Sequence, residues 1–542
     1  MREIDRLTTE RYGVASLVLM ENAASAVVRV IVSTLGGDVA GKTALVLCGR
    51  GNNGGDGAAV ARLLAHAGAN VSALLFGRID DTKGDARTNF EALAGLAASS
   101  ESIAGSIRFL ECGAGDDALS IAQEHLARSI DVIVDGLFGT GLSRPLEGVY
   151  ADVVGRVNKL RTSATSSPLV AAIDVPSGLN SDHAEIIGPA LQADITVTMT
   201  APKLANVLAP ASNFNGRLIV ADIGSPSELL AETKTDLFLT DENDVKRWLI
   251  TTRYTPDSYK NTHGHALVVA GSRGFTGAAT LCGNAAMRAG AGLVTVATSV
   301  SAQPLVATQV MPEVMTTALA ETDRGAVSDD AFGYFSKFSE RADVVAIGPG
   351  LSSEDERTRA FVRKVVEQRR TPIVIDADGL NCLSPWPEEL HGSNELPIVL
   401  TPHPGEMLRL LGGTDKSSLD DRVTAARKFA MQHRVILLLK GGRSLVAAPD
   451  GRVFLNSTGN AGLGTAGAGD TLTGIITGFL AQAKRFSPLD TIIAALYIGG
   501  LAGDLAAREY GMRAMVASDI REHLSEAFLL LDARGETPNS SH

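Results

Sequence analysis

The sequence predicts an α/β protein of two domains, and three observations predict it. The chain has 542 residues, too many for one ordinary hydrophobic core. Apolar runs of strand length alternate with helix-type segments in both halves, the pattern of parallel, doubly wound sheets. The alternation lapses once, over residues 223–262, where Pro226 and Ser227 interrupt it and Asp236, Asp241, Glu242 and Asp244 cluster. The glycine loops of the two halves differ, and no internal repeat relates them.

Hydrophobic residues make up 45% of the chain and charged residues 20%, as in globular proteins. The net charge of −12 argues against nucleic acid or an anionic membrane as the main partner, while leaving room for local basic pockets. Cys48, Cys112, Cys282 and Cys382 are scattered without a C-x-x-C pair, which fits a reduced compartment with no disulfide frame or zinc site. The opening MREIDRLTTE carries acids and no apolar signal-peptide core. No apolar run approaches membrane-spanning length, so a soluble cytoplasmic protein is expected.

A helix is predicted over residues 14–32; on pattern alone its Glu21 and Asn22 are polar residues on a wet face. Thr43–Cys48 is a buried-strand run, Gly49–Gly57 (GRGNNGGDG) a loop, and Ala58–His66 a helix. The loop is near a dinucleotide fingerprint without matching it. Two asparagines and an aspartate among glycines either bond their own backbone in turns or present oxygens to a ligand or ion, and the length of the run favours the second. Val71–Phe76 is a strand, Asp85–Ala98 a helix, and Asp131–Asp135 a strand that enters a second glycine loop, Gly136–Pro145. Leu169–Asp174 is a strand leading into Val175–Gly178, and Ile195–Met199 and Leu218–Asp222 are strands. The polar loops at 49–57, 135–145 and 174–178 all follow strands, so a parallel sheet brings them to one edge, where ligands bind.

GRGNNGGDG, DGLFGTGLSRP and DVPSG resemble the YjeF N-terminal domain, the NAD(P)H-hydrate epimerase family, over roughly residues 2–224. The resemblance implies a Rossmann-like sheet. It implies that Asn52, Asn53, Gly54, Gly55 and Asp56, with Gly139, Thr140, Gly141, Leu142, Ser143, Arg144 and Pro145, hold the hydrated cofactor. Asp174 would be the acid/base, and Asn53, Asp135 and Ser177 would bind potassium; oxygen ligands suit a hard cation. The MEN of residues 20–22 also occurs in this family, which counts against the wet-face reading of Glu21 and Asn22.

In the second half, His265–Ala270 is a strand, Gly271–Gly277 a glycine loop, Ala278–Ala289 a helix and Gly292–Ala297 a strand. Asp343–Ile347 runs into GPGL at 348–351, Pro372–Asp376 into Ala377, Asp378 and Gly379, and Ile398–Thr401 into PHPGE at 402–406. Val435–Lys440 runs into GGRS at 441–444, and Ser444–Ala448 with Arg452–Asn456 forms a hairpin about Pro449-Asp450-Gly451. The segment Gly459–Gly474 (GNAGLGTAGAGDTLTG) precedes a helix-type run, and small residues at a helix N-terminus suit a phosphate. Asp470 there is either an N-cap or a base that takes a proton from a hydroxyl attacking phosphorus. Lys440 at a strand end facing glycines suits a phosphate. His403 is a rigid turn or a ligand contact, and Asp376 and Asp378 are Asx-turn formers.

VVAGS, GPGL, DADGL, TPHPGE, KGGRS and GAGDTLTG, in that order over about residues 238–530, resemble the carbohydrate-kinase-like ADP/ATP-dependent NAD(P)H-hydrate dehydratases. The resemblance implies a ribokinase-like α/β/α sandwich in which Ala278, Gly350, His403 and Asp470 contact the hydrate. Lys440, Gly441, Gly442, Arg443, Ser444 and Gly469 would contact the adenine nucleotide, and Mg²⁺ is expected with ADP or ATP. SYKNTHGH at 258–265 departs from the family's His-Lys-Gly run, so no role is carried over to Lys260.

The expected division is an epimerase domain at 1–224, a linker at 225–237, a dehydratase domain at 238–532 and a disordered tail at 533–542. The implied protein repairs hydrated NADH and NADPH, and a homo-oligomer is expected from the family. One alternative is a ribokinase-type small-molecule kinase with a regulatory first domain; PHPGE and NNGGDG count against it. The other is a binding scaffold, which has no need of Asp174 and Asp470.

Overall fold

Seven strands build the first sheet: β1 (Thr43–Cys48), β2 (Asn70–Phe76), β3 (Ser106–Cys112), β4 (Val132–Gly136), β5 (Leu169–Ile173), β6 (Ile195–Met199) and β7 (Arg217–Ala221). The order is β3-β2-β1-β4-β5-β6-β7 with every neighbour parallel. The inner strands are buried on both faces, as a helix-covered parallel sheet requires. The order reverses between β1 and β4, so the loops that follow them part and leave a crevice at the carboxyl edge. Strand β3 has no counterpart in the sequence reading. Its Arg108 and Glu111 belong to a half-exposed edge strand, which lacks the apolar run of an inner one.

This computed structural model describes residues 1–99, 104–113, 116–163, 167–233, 235–483 and 486–533. It divides into two units, Met1–Lys234 and Thr235–His542. The predicted linker at 225–237 is structured: Ser227–Glu232 is a helix and Leu237–Leu239 a strand, β8, that pairs with the second sheet. Its few residues are too short a window for periodicity. The tail expected at 533–542 lies outside the described residues after Ala533, which ends the helix Leu524–Ala533.

The second sheet adds β9 (His265–Val269), β10 (Leu293–Ser299), β11 (Met315–Leu319), β12 (Val344–Ile347), β13 (Ile373–Ile375), β14 (Ile398–Leu400), β15 (Ile436–Leu439), β16 (Leu445–Ala447) and β17 (Val453–Leu455). Its order is β11-β10-β9-β12-β13-β14-β15-β16-β17-β8. It is parallel from β11 to β15, and β15, β16 and β17 pair antiparallel, the last two as the predicted hairpin. Helices Thr276–Arg288 and Ala468–Gln482 pack backbone to backbone. A Cβ at Gly474 would lie 2.2 Å from the Cys282 carbonyl oxygen, so only glycine fits there. Trp248 stacks on Phe479 at 4.0 Å on the same layer.

Two helices correct the expectation that no apolar segment reaches membrane-spanning length. Ser16–Thr34 (19 residues) and Pro488–Tyr510 (23 residues) are long and apolar enough. Both are core helices: Leu19, Ala23, Val27 and Ile31 of the first, and Ile492, Ala495 and Ala502 of the second, are buried. Asn22 is exposed and Glu21 partly so, as the wet-face reading expects, but each also holds a partner. Glu21 pairs with Arg62 of the next helix at 2.5 Å, and Asn22 donates to the Ile223 carbonyl at 2.9 Å. All four cysteines are buried and free.

Candidate active sites

In the first unit the segments after β1, β4 and β5 line one cavity of about 810 Å³. Asn52, Asn53, Asp56, Gly139, Thr140, Gly141, Leu142, Arg144, Pro145 and Asp174 all line it. The run predicted as a loop over 49–57 is a helix from Asn52 onward, so Asn52, Asn53 and Asp56 reach the cavity from the N-terminal end of a helix. Glycine spacing hides that helix from a propensity reading. Gly54 and Gly55 are buried and do not line the cavity. A Cβ on Gly54 would meet the Gly49 oxygen at 1.7 Å, and one on Gly55 would meet Ala86 Cα at 2.6 Å, so they are packing glycines. Ser143 is exposed and also lies outside the lining.

Asn53, Asp135 and Ser177 lie close together. Ser177 Oγ donates to Asp135 Oδ1 at 2.6 Å, and Ser177 N donates to Asp135 Oδ2 at 2.8 Å. The Asn53 backbone oxygen lies 3.0 Å from a Cβ position on Gly136, and its side-chain oxygen 3.0 Å from one on Gly139. Asp135 is fully buried, and burial pushes its carboxyl up to about 6 against the donors Ser177 and Leu137. The Asn53 side-chain nitrogen is buried with no partner among the described residues.

Asp174 sits in the left-handed region at φ 65°, a strained placement for a non-glycine residue that recurs at functional sites. Its Oδ1 accepts from Thr198 Oγ1 at 2.9 Å, from Met199 N at 3.2 Å and from the Lys203 ammonium. Lys203 is buried and also donates to Thr198 Oγ1 (2.9 Å) and the Met199 carbonyl (3.0 Å). Sequence reasoning missed Lys203, although the signal was present: it follows β6, so it falls on the same carboxyl edge. It also missed Asp5, brought in by the helix Arg2–Tyr12, which lines the cavity with Arg2. Burial raises the carboxyls of both Asp5 and Asp56, Asp56 well above the ordinary range; the Asp174 charge adds to both.

In the second unit the charged centre is Lys440 at the end of β15. Its Nζ lies 2.8 Å from Asp376 Oδ1 and 3.9 Å from Glu406 Oε2. Thr473 Oγ1 donates to Asp376 Oδ2 at 2.7 Å. Asp376 is 1% exposed and serves this ion pair, not an Asx turn; its distance in sequence from Lys440 and Thr473 hid the role. Asp378 is likewise no local turn former. It accepts from Ser352 N at 2.9 Å and so ties its own helix to the GPGL loop. Burial works against the Lys440 charge, and Asp376 with Glu406 outweighs it, so Lys440 holds its proton above the ordinary range.

Gly467 at φ 83° caps the helix Ala468–Gln482, so Asp470 is not the N-cap but the third helical residue. Burial, then Asp376, push its carboxyl up to about 6 while Lys440 opposes them. A Cβ on Gly469 would stand 3.3 Å from Lys440 Nζ, so the helix end, its glycine and the lysine share one small space. Gly350, at φ 62°, places Ala278 Cβ 3.0 Å from where its own Cβ would be. One turn on, Leu281 abuts the Gly467 position. His403 caps the helix Pro404–Leu410 through Nδ1, which accepts from Gly405 N at 3.0 Å, and its backbone N–H donates to Glu406. His403 therefore reaches the centre through Glu406.

The Gly441–Ser444 segment is held open from beneath by Arg422, which donates to the carbonyls of Gly442 (3.0 Å) and Lys440 (3.2 Å). Gly441 and Gly442 are exposed, while Arg443 folds back onto the Ser457 carbonyl at 3.3 Å. Arg422 and Asp504, which accepts from Gly459 N and Asn460 Nδ2 at 2.9 Å, support these loops and carry no motif signal. Lys260 is exposed in a short 3-10 turn.

Residues 16–205 match the family described as YjeF-related protein N-terminus, and residues 266–526 match NAD(P)H-hydrate dehydratase. The bifunctional NAD(P)H-hydrate repair enzyme Nnr of Moorella thermoacetica is 41% identical, over 99% of this chain and 97% of its own length. That of Escherichia coli K12 is 35% identical, over 88% and 83%. An ADP/ATP-dependent NAD(P)H-hydrate dehydratase of Bacillus subtilis, crystallised with ATP and Mg²⁺, is 31% identical over 54% of this chain and 98% of its own, with a TM-score of 0.47. Two consecutive domain matches and relatives aligned along nearly the whole length show that the chain belongs to the bifunctional NAD(P)H-hydrate repair enzymes.

Proposed function

We propose that the first unit interconverts the R and S hydrates of NADH and NADPH, and that the second dehydrates the S form at the expense of ADP or ATP. The observation that carries this is that each family-matched unit centres on one aspartate, Asp174 or Asp470, set among polar groups at a sheet's carboxyl edge.

Water adds across the ring double bond joined to nitrogen, so the hydroxyl sits on the carbon beside that nitrogen. That carbon is the stereocentre. In the first unit Gly139–Leu142, Arg144 and Pro145 of the glycine turn and Asn52, Asn53 and Asp56 of the helix start hold the hydrate, and Lys203 pairs with Asp174 beside it. Asn53, Asp135 and Ser177 fit a potassium ion. The set offers only amide, carboxylate and hydroxyl oxygens; among the described residues the buried Asp135 has no cation partner, and the Asn53 amide has an unpartnered end that a flip would exchange for oxygen. Potassium there would fix the substrate's oxygens and offset the buried charge.

Hydroxide is a poor leaving group, and phosphate a good one. In the second unit Asp470 takes the proton of the ring hydroxyl as it attacks the terminal phosphoryl group. The N–H groups of Gly467–Gly469 and Lys440 face the charge that develops. Loss of phosphate and of the neighbouring C–H proton restores the dihydropyridine. Among the described residues no three His, Cys, Asp or Glu cluster as a metal site, which fits Mg²⁺ carried mainly by nucleotide phosphates with Glu406 nearby.

The test is to give the protein pure R hydrate without nucleotide, in potassium or in choline chloride, and to resolve the epimers chromatographically. Conversion to a mixture in potassium, lost in Asp174→Asn, is expected. With Mg²⁺ and each nucleotide in turn, NADH and free phosphate should follow. A stable phosphorylated product would overturn the dehydratase reading in favour of a kinase.

A further inference from the structure

We propose that two carboxyl groups, Asp56 and Asp174, divide the epimerisation, working on opposite faces of the hydroxyl-bearing carbon. The inference rests on the epimerase reading above. Asp56 is the fifth residue of the helix after β1, and Asp174 follows β5. Strand β4 stands between them, so two strand spacings, roughly 9–10 Å, separate the points where they leave the sheet. Both side chains line the same cavity. The cavity takes a tetrahydropyridine ring and a water, and this backbone spacing is of the order of the roughly 6.5–9.5 Å kept between the carboxyls of glycosidases that invert a centre with a water.

The two groups live in opposite electrostatic settings. Asp174 accepts hydrogen bonds from Lys203, Thr198 and the Met199 N–H. Asp56 accepts none from the described residues. The charged groups that share its cavity are Arg2 and Asp5 of the first helix with the chain-terminal Met1, then Arg50, Asp85, Arg144, Glu147, Asp174 and Lys203. Lys203 is committed to Asp174, while burial first, then the Asp174 and Asp5 charges, raise the Asp56 carboxyl well above its ordinary range. A carboxyl paired with an ammonium and a second one given no donor among the described residues suit a base and an acid.

The step balances without a co-reactant. Asp56 gives its proton to the ring hydroxyl. The C–O bond breaks with its electrons on oxygen, water leaves, and the nitrogen lone pair forms a C=N⁺ bond. A water on the other face adds its oxygen to that carbon, the π electrons return to nitrogen, and the water's proton passes to Asp174. The site is left with Asp56 ionised and Asp174 protonated. It is reset by exchange with solvent or by running the opposite epimer.

The test begins with the full chain and pure R hydrate in ¹⁸O water, with a protein-free control. One solvent oxygen in each molecule of S product is expected; unlabelled product would show that the hydroxyl never leaves and would overturn the proposal. Asp56→Asn should lower the epimerisation kcat in both directions by about 10²-fold or more, a larger loss than any weakening of the hydrate Kd. The wild-type kcat should fall on an alkaline limb that Asp56→Asn lacks, and Asp56→Glu should restore part of the rate and the limb. Thermal melting checks that the variants fold. A rate for Asp56→Asn within about fivefold of wild type, with the alkaline limb intact, would overturn the two-carboxyl scheme alone. Absence of any wild-type epimerisation would overturn the epimerase reading and this inference with it.

Discussion

Replacing Lys440 with Met removes one ammonium and leaves an apolar stem of similar length. Its Nζ lies 2.8 Å from Asp376 and 3.9 Å from Glu406, both buried. At an effective dielectric of about 20, each contact is roughly 4–6 kcal/mol of attraction. Part is recovered because the ammonium no longer has to be desolvated, so the expected loss is about 3–5 kcal/mol. A melting shift of roughly 5–10 °C follows for a unit of this size. The loss depends on pH. Glu406 and Asp470 already hold their protons above the ordinary carboxyl range, Asp470 at about 6, and without Lys440 both rise further. A carboxyl raised in the folded state binds its proton more tightly there than in the unfolded chain. Stability is therefore lost as pH climbs from the ordinary carboxyl range through the raised value. Calorimetric melts at pH 5, 6, 7 and 8 should show the deficit smallest at pH 5 and largest at pH 8. A shift under about 2 °C at every pH would refute the view of Lys440 as the hub of a buried charge network.

Asp470→Asn should lower the dehydration kcat by about 10²–10⁴-fold with nucleotide affinity held within a few-fold, as isothermal titration would show. In the wild type, dehydration should fall as pH drops through about 6, because the base must be ionised and Asp470 titrates there. Gly350→Ala puts a methyl 2.9 Å from the Phe275 carbonyl and 3.0 Å from Ala278 at a left-handed φ, and should weaken S-hydrate binding by about 1–3 kcal/mol in equilibrium dialysis. Lys203→Met strips Asp174 of its ammonium partner and should lower epimerisation by about 10²-fold while leaving nucleotide-driven dehydration of pure S hydrate unchanged.

The apolar strands that build both sheet interiors were legible, because a buried parallel strand is a short apolar run bounded by polar loops. So was the meeting of those loops at one edge, which follows from topology alone. Edge strands β3, β8 and β11 were not. They are short or half exposed, and their pattern does not differ from loop. Asn52–Asp56 looked like loop because glycine and asparagine are poor helix formers, yet the tight approach of Gly54 to Gly49 favours a helical start there. Asp376, Glu406 and Lys203 escaped as site residues for another reason. Each acts through a partner across the fold, and no local spacing records such a pair.

The central claim is that one chain returns both epimers to the reduced cofactor. The most direct measurement is absorbance at the dihydronicotinamide band during incubation of mixed R and S NADH hydrate with protein, K⁺, Mg²⁺ and ADP or ATP. The account predicts recovery of the whole pool by the wild type, of the S fraction alone by Asp174→Asn above the slow spontaneous epimerisation, and of none by Asp470→Asn. Wild-type recovery that stops at the S fraction, or continued recovery with Asp470→Asn, would contradict it.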